Sequence, residues 1–98
     1  MTAGAAADRI DRWLFFARLC KSRALAQRLC EDGMVSVSGV AVRRPSQLVR
    51  PGMEVAVTFG RTVRRVRVAG IGTRRGPASE AASLYEDLGR APAPDDWD

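Results

Sequence analysis

The chain has 98 residues, with sixteen basic and eleven acidic side chains and a formal net charge of +5. That length holds one small domain and excludes a multidomain enzyme with a deep substrate pocket. With two cysteines and no histidine, neither a four-ligand zinc site nor histidine acid–base chemistry can be assembled. No catalytic residue, metal or cofactor is therefore expected.

The charge is unevenly spread. Residues 1–50 and 51–75 each carry a net +5, whereas residues 76–98 carry −5, and fifteen of the sixteen cations are arginine. The first three-quarters of the chain should attract polyanions. No stretch approaches the ~18–20 consecutive apolar residues of a membrane span, so no membrane partner is expected. Met1 to Ala7 lacks a basic n-region and reads as no signal peptide, which makes the cytoplasm the expected location. There Cys20 and Cys30 are packing thiols rather than a disulfide.

Residues 1–7 are small and featureless, and disorder is expected. A first helix begins at Asp8, with Ile10, Trp13, Leu14 and Ala17 in one apolar stripe. Arg9, Arg12 and Phe16 lie off that stripe, while Trp13 and Phe15 are assigned to the core. The periodicity breaks around Leu19-Cys20-Lys21. Ser22 then caps a second helix running to Asp32, with Leu25, Ala26, Leu29 and Cys30 inward and Gly33 as its stop.

From Met34 the period changes to two. Met34–Val37 and Val40–Val42 form a hairpin about Ser38-Gly39, and Arg43 to Ser46 leaves it as a loop. Glu54–Phe59 and Thr62–Ile71 are two further strands, with Val66 and Val68 inward and Arg65 and Arg67 outward. A basic connector carries Arg74 and Arg75. Ala81, Leu84, Tyr85 and Leu88 then predict a third amphipathic helix over 78–88, followed by an acidic tail. The fold class is α+β: two N-terminal helices on a small, curled antiparallel sheet, plus a C-terminal helix. The domain plan is 1–7 disordered, 8–71 folded, 72–88 connector and helix, 89–98 disordered acidic tail.

The strongest motif is an ordered string. It runs Arg9-Ile10-Asp11-x-x-Leu14, Lys21-Ser22-Arg23-x-x-Ala26-x-x-Leu29, Gly33-x-Val35-x-Val37-Ser38-Gly39, Arg44-Pro45-Ser46 and Pro51-Gly52. It sets cations around the start of the second helix, whose free N–H groups favour an anion. Guanidinium forks from Arg23, with Lys21 beside it and Gln27 and Arg28 one turn on, would add charge-assisted bonds to a phosphate. Asp11 is read as an organiser of this site through pairing with Arg23, because an acid beside phosphate is repulsive.

This string resembles the S-four RNA-binding domain family over Arg9 to Val57. Ser38 stands where the family has Asn, and Met53 where it has Asp. Asp11 to Arg18, and above all Arg74-Arg75-Gly76-Pro77 through Glu86, resemble a ribosome-associated heat-shock branch of that family. The resemblance implies a non-catalytic protein that binds structured RNA, with ribosomal RNA of the large subunit, and tRNA with it, as the partner. The implied role is rescue or recycling of stalled subunits that carry peptidyl-tRNA. The site residues carried over are Arg9, Arg12, Arg18, Lys21, Ser22, Arg23, Gln27, Arg28, Arg43, Arg44 and Ser46. Phe16, Arg65, Arg67, Arg74 and Arg75 are candidate extensions of the footprint, and the chain is read as a monomer. Competing readings are a general structured-RNA or ribosome-assembly module, an adaptor using the third helix and tail, a duplex-DNA binder, and the accessory RNA-binding subunit of an RNA-modifying enzyme.

Overall fold

The computed structural model describes residues 6–93. The expectations for residues 1–5 and 94–98 lie outside the described residues. The chain enters as a two-residue strand, β1 (Asp8–Arg9), and turns directly into helix α1 (Ile10–Phe16). The helix thus starts two residues later than its periodicity suggests. Asp8 and Arg9 pair instead with β4 (Leu48–Val49) in a small antiparallel ladder. That ladder also supplies the helix cap. Ile10 N donates to Gln47 O at 2.7 Å and Asp11 N to Pro45 O at 3.2 Å. Two of the N–H groups that every helix start leaves free are thereby satisfied by loop carbonyls.

Ile10, Trp13, Leu14 and Ala17 are buried, as the stripe requires. Arg18 then adopts φ +59° and turns the chain toward α2 (Arg23–Glu31). Ser22 caps that helix, its Oγ accepting from Leu25 N at 3.0 Å. Gly33, at φ +77° with open space around it, ends the helix as expected.

Strands β2 (Val35–Val37), β3 (Val40–Ala41), β5 (Glu54–Phe59), β6 (Thr62–Val68) and β7 (Tyr85–Pro92) form one antiparallel sheet in the order β3-β2-β5-β6-β7. The first hairpin turns on Ser38 (φ +53°) and Gly39 (φ +82°), the two positive values that match the twist of its strands. Val35, Val37, Val55, Val57, Val66 and Val68 are buried on the inner face and form one core with Ile10, Trp13, Leu14, Ala26 and Cys30. Trp13 is wholly enclosed, and its Nε1 donates to Gly70 O at 2.9 Å. The α+β class and the helix pair on a small antiparallel sheet are as the sequence indicates.

The C-terminal quarter corrects the sequence reading. Helix α3 is only Ala78–Ala81, followed by one 3-10 turn over Ala82–Leu84. Tyr85–Pro92 is strand rather than helix and tail, and β6 itself ends at Val68 instead of Ile71. The cause is long-range. Without β7, β6 would be an edge presenting a row of unpaired backbone groups, whereas an eleven-residue helix is marginal on its own. Pairing runs from Val68↔Tyr85 to Thr62↔Pro92, with an irregularity beside Leu88. Residues 85–92 are therefore part of the domain's sheet and not a separable arm.

Candidate nucleic-acid interface

Asp11 is the hub of the helix pair. It projects from the first turn of α1, is fully buried, and accepts from groups on both sides. Arg9 Nε donates to Oδ1 at 3.0 Å and Arg9 Nη2 to Oδ2 at 2.9 Å, a bidentate fork. Gln27 Nε2 reaches Oδ2 at 3.0 Å from the second turn of α2, and Arg23 Nη2 lies 3.4 Å from the same atom. Arg12 N donates to Oδ1 at 2.7 Å. Burial by itself would raise the carboxyl's pKa, but the hydrogen bonds from Arg9, Gln27 and Arg12 N outweigh it and hold the group below its usual 3.8. One anion thus fixes three side chains, Arg9 from β1 and Arg23 and Gln27 from α2, while the Arg9 and Arg23 side chains stay 42% and 41% exposed. The expected pairing of Asp11 with Arg23 is present, and Arg9 and Gln27 share it.

Beside this hub lies the exposed start of α2. Its first intrahelical bond runs from Ala26 N to Ser22 O, so the amides of Arg23 and Ala24 precede the helical ladder. Lys21 is exposed immediately before them. The loop carrying Arg43, Arg44 and Ser46 is brought alongside by the Pro45 and Gln47 carbonyls that cap α1. All three residues are exposed, and they line a shallow hollow with Val40, Ala41, Gln47 and Leu48. Arg28 is exposed one turn further along α2.

The remaining sites divide. Arg12 leaves α1 about 100° around the axis from Asp11 and pairs with Asp8, Nη2 lying 2.6 Å from Oδ1. It faces Phe16 and the connector residues Ile71 to Thr73. Arg18 Nε donates to Gly76 O at 2.7 Å. Arg75 stacks 4.5 Å above the Phe15 ring and donates to Phe15 O at 3.1 Å. These two guanidinium groups fasten the connector to the C-terminal end of α1, where cations are favoured.

Arg65, Arg67 and Arg74 bond Glu54, Glu86 and Glu80 at 2.9, 2.8 and 2.9 Å. The structure therefore gathers Arg9, Arg23 and Gln27 about Asp11, with Lys21 and Ser22 at the neighbouring start of α2 and Arg43, Arg44 and Ser46 on the adjoining loop, whereas Arg28 lies in the last turn of α2. It engages Arg18 and Arg75 in holding the connector, and pairs Arg12, Arg65, Arg67 and Arg74 with carboxylates. The buried Asp8, partner of Arg12, was missed as a structural acid. Its four-residue spacing to Arg12 was the available signal.

Among the described residues no group of three His, Cys, Asp or Glu side chains is placed to hold a metal, and no helix is long and apolar enough to cross a membrane.

A capped helix pair holding a buried acid among cations, set on a curled antiparallel sheet, defines a class of small α+β domain. The S4 domain model matches residues 8–55. The chain belongs to the S4 domain family, the S-four family of the sequence resemblance. It is 42% identical to heat shock protein 15 of Escherichia coli (strain K12) over 79 residues, which are 81% of this chain but 59% of that protein's length. It is 34% identical to the RQC P-site tRNA stabilizing factor of Bacillus subtilis (strain 168), over 82% of this chain and 91% of that protein. The trimeric structure of heat shock protein 15 from Vibrio cholerae is similar, with a TM-score of 0.77 at 32% identity, covering 84% of this chain and 82% of that one.

Proposed function

We propose that the chain is a non-catalytic, cytoplasmic protein that binds structured RNA, its target being large-subunit ribosomal RNA in subunits stalled with peptidyl-tRNA. One observation carries the reading. A fully buried Asp11 fixes Arg9, Arg23 and Gln27 beside the free end of a capped helix, while the guanidinium groups stay open to solvent. A cation held in advance loses less side-chain freedom when it meets a phosphate. Lys21, Arg28, Arg43 and Arg44 extend the charge across α2 and the neighbouring loop, and the contacts read backbone geometry more than base edges. The name of the Bacillus subtilis relative, a P-site tRNA stabilizing factor, supports a ribosomal target. We extend that role to this chain.

The test is co-sedimentation with purified large subunits over a range of salt. Arg23→Ala is preferred to an acidic replacement, which would stand beside Asp11. Combined with Arg44→Ala it should weaken binding about 10–100-fold and lower the salt slope by about 1.4–1.8. Wild-type affinity and slope in that double variant would refute the assignment.

A further inference from the structure

The inner face of the sheet runs past the helices toward the β5–β6 hairpin, and there its chemistry changes. Val55 pairs with Val66, but the next pairs on this face are Val57 with Arg64 and Phe59 with Thr62. On its other side Arg64 lies directly across from Arg90 of β7. Like charges directly opposite each other destabilise a sheet, so this placement calls for compensation. Within the domain it is incomplete.

Arg64 lies 5.3 Å from the centroid of the Tyr85 ring, its Nη2 donates to Tyr85 Oη at 3.1 Å, and the same atom is 3.8 Å from Asp87 Oδ2. Arg64 Nε is buried without a hydrogen-bond partner among the described residues. Arg90 is exposed, and its side chain makes no hydrogen bond or ion pair among them. Phe59, Thr62, Arg64 and Arg90 together line a hollow of about 250 Å³. That is below the ~300–1,000 Å³ of small-molecule pockets and suits one compact anion.

We infer that this hollow is a second phosphate-binding site, which takes a backbone phosphate of RNA at the far end of the sheet from the helix pair. Arg64 and Arg90 both line the hollow, Arg90 with no acid partner of its own, and Thr62 adds a neutral hydroxyl donor. A phosphate between Arg64 and Arg90 neutralises the facing charges while accepting charge-assisted bonds from both. The hairpin end is held for this purpose, since Ala93 N donates to Arg61 O at 2.8 Å and fastens the end of β7 beside the turn. The inference rests on the RNA reading above and adds a contact surface that the helix-pair motif does not contain.

The experiment titrates a labelled RNA stem-loop with the full chain at several potassium chloride concentrations, comparing wild type, Arg90→Glu, Arg90→Ala and Arg23→Ala. Arg90→Glu should lower affinity about tenfold and reduce the salt slope by about one. It should also raise the melting temperature, because it replaces a facing like-charge pair with an opposite-charge one. Arg90→Ala should show the same loss of affinity with a smaller thermal gain. Unchanged affinity and slope in both Arg90 variants, with Arg23→Ala weakened, would overturn the second site and leave the helix-pair site standing. If Arg23→Ala also binds as wild type, the RNA reading falls, and this inference with it.

Discussion

Replacing Asp11 with alanine separates organisation from charge. The carboxylate is fully buried and takes hydrogen bonds from Arg9, Arg23, Gln27 and the Arg12 amide. The two guanidinium partners are about two-fifths exposed, so they turn to water when released and lose little. The Gln27 amide and the Arg12 N–H lose a charged acceptor, at about 1–1.5 kcal/mol each, and the vacated volume adds to this. The sum is a destabilisation of about 3 kcal/mol, which lowers the melting temperature of a domain this size by roughly 12–24 °C.

Acid adds a second signature. The folded pKa of Asp11 lies below the unfolded value of 3.8. The stability it contributes is therefore complete above that pH and is lost as pH falls through the folded value. Asp11→Ala should flatten that acid limb. Urea melts followed by circular dichroism at pH 7 and pH 3 measure both effects. RNA affinity supplies the sharper test, because removing an acid from a cationic surface should strengthen binding if charge alone mattered. Weaker binding by folded Asp11→Ala protein is expected. Stronger binding, or a stability loss under about 1 kcal/mol, would refute the organising role.

Two further outcomes follow from local chemistry. Burial pushes the Cys20 thiol up to about 11 and, with nearby negative charge, Cys30 up to about 12. Neither should react with a thiol-specific disulfide reagent at pH 8 until urea unfolds the chain; rapid labelling of native protein would contradict this packing. Ser38 holds φ +53° in the first hairpin turn, a conformation that Asn tolerates better than Ser. Ser38→Asn should gain about 0.5 kcal/mol in a urea melt, and a loss of that size would show the turn to be set by something other than backbone preference.

The helix pair was legible because its signals are local. Ser22 caps within three residues, Gly33 ends α2 at once, and the stripe from Ile10 to Ala17 needs no distant partner. Asp11 was legible as an organiser from the repulsion an unpaired acid would suffer near phosphate. What escaped depends on partners far along the chain. Ala81, Leu84, Tyr85 and Leu88 have helical spacing, yet Tyr85 is claimed by Val68 and the open side of β6. The start of α1 shifted for a similar reason, since Asp8 and Arg9 are held by Val49 and Leu48. Cross-strand register also decided which arginines of β6 meet acids, and no local spacing encodes the approach of Arg64 to Arg90.

That register shapes the electrostatic field more than the total charge does. Arg12, Arg65, Arg67 and Arg74 each face a carboxylate, and Arg9 and Arg23 share Asp11. The outer face of β5, β6 and β7 therefore carries arginine and glutamate in alternation and presents little net potential, although its sequence is strongly basic. Apart from Arg18 and Arg75, which hold the connector, the cations without a carboxylate partner among the described residues fall elsewhere: Lys21 and Arg28 about α2, Arg43, Arg44 and Arg50 around β4, and Arg61 and Arg90 at the far hairpin end. Screening over about 8–10 Å at physiological salt keeps these groups from blending into one diffuse field. On the proposed reading, a polyanion is drawn to the two ends of the cationic surface and not to the middle of the sheet.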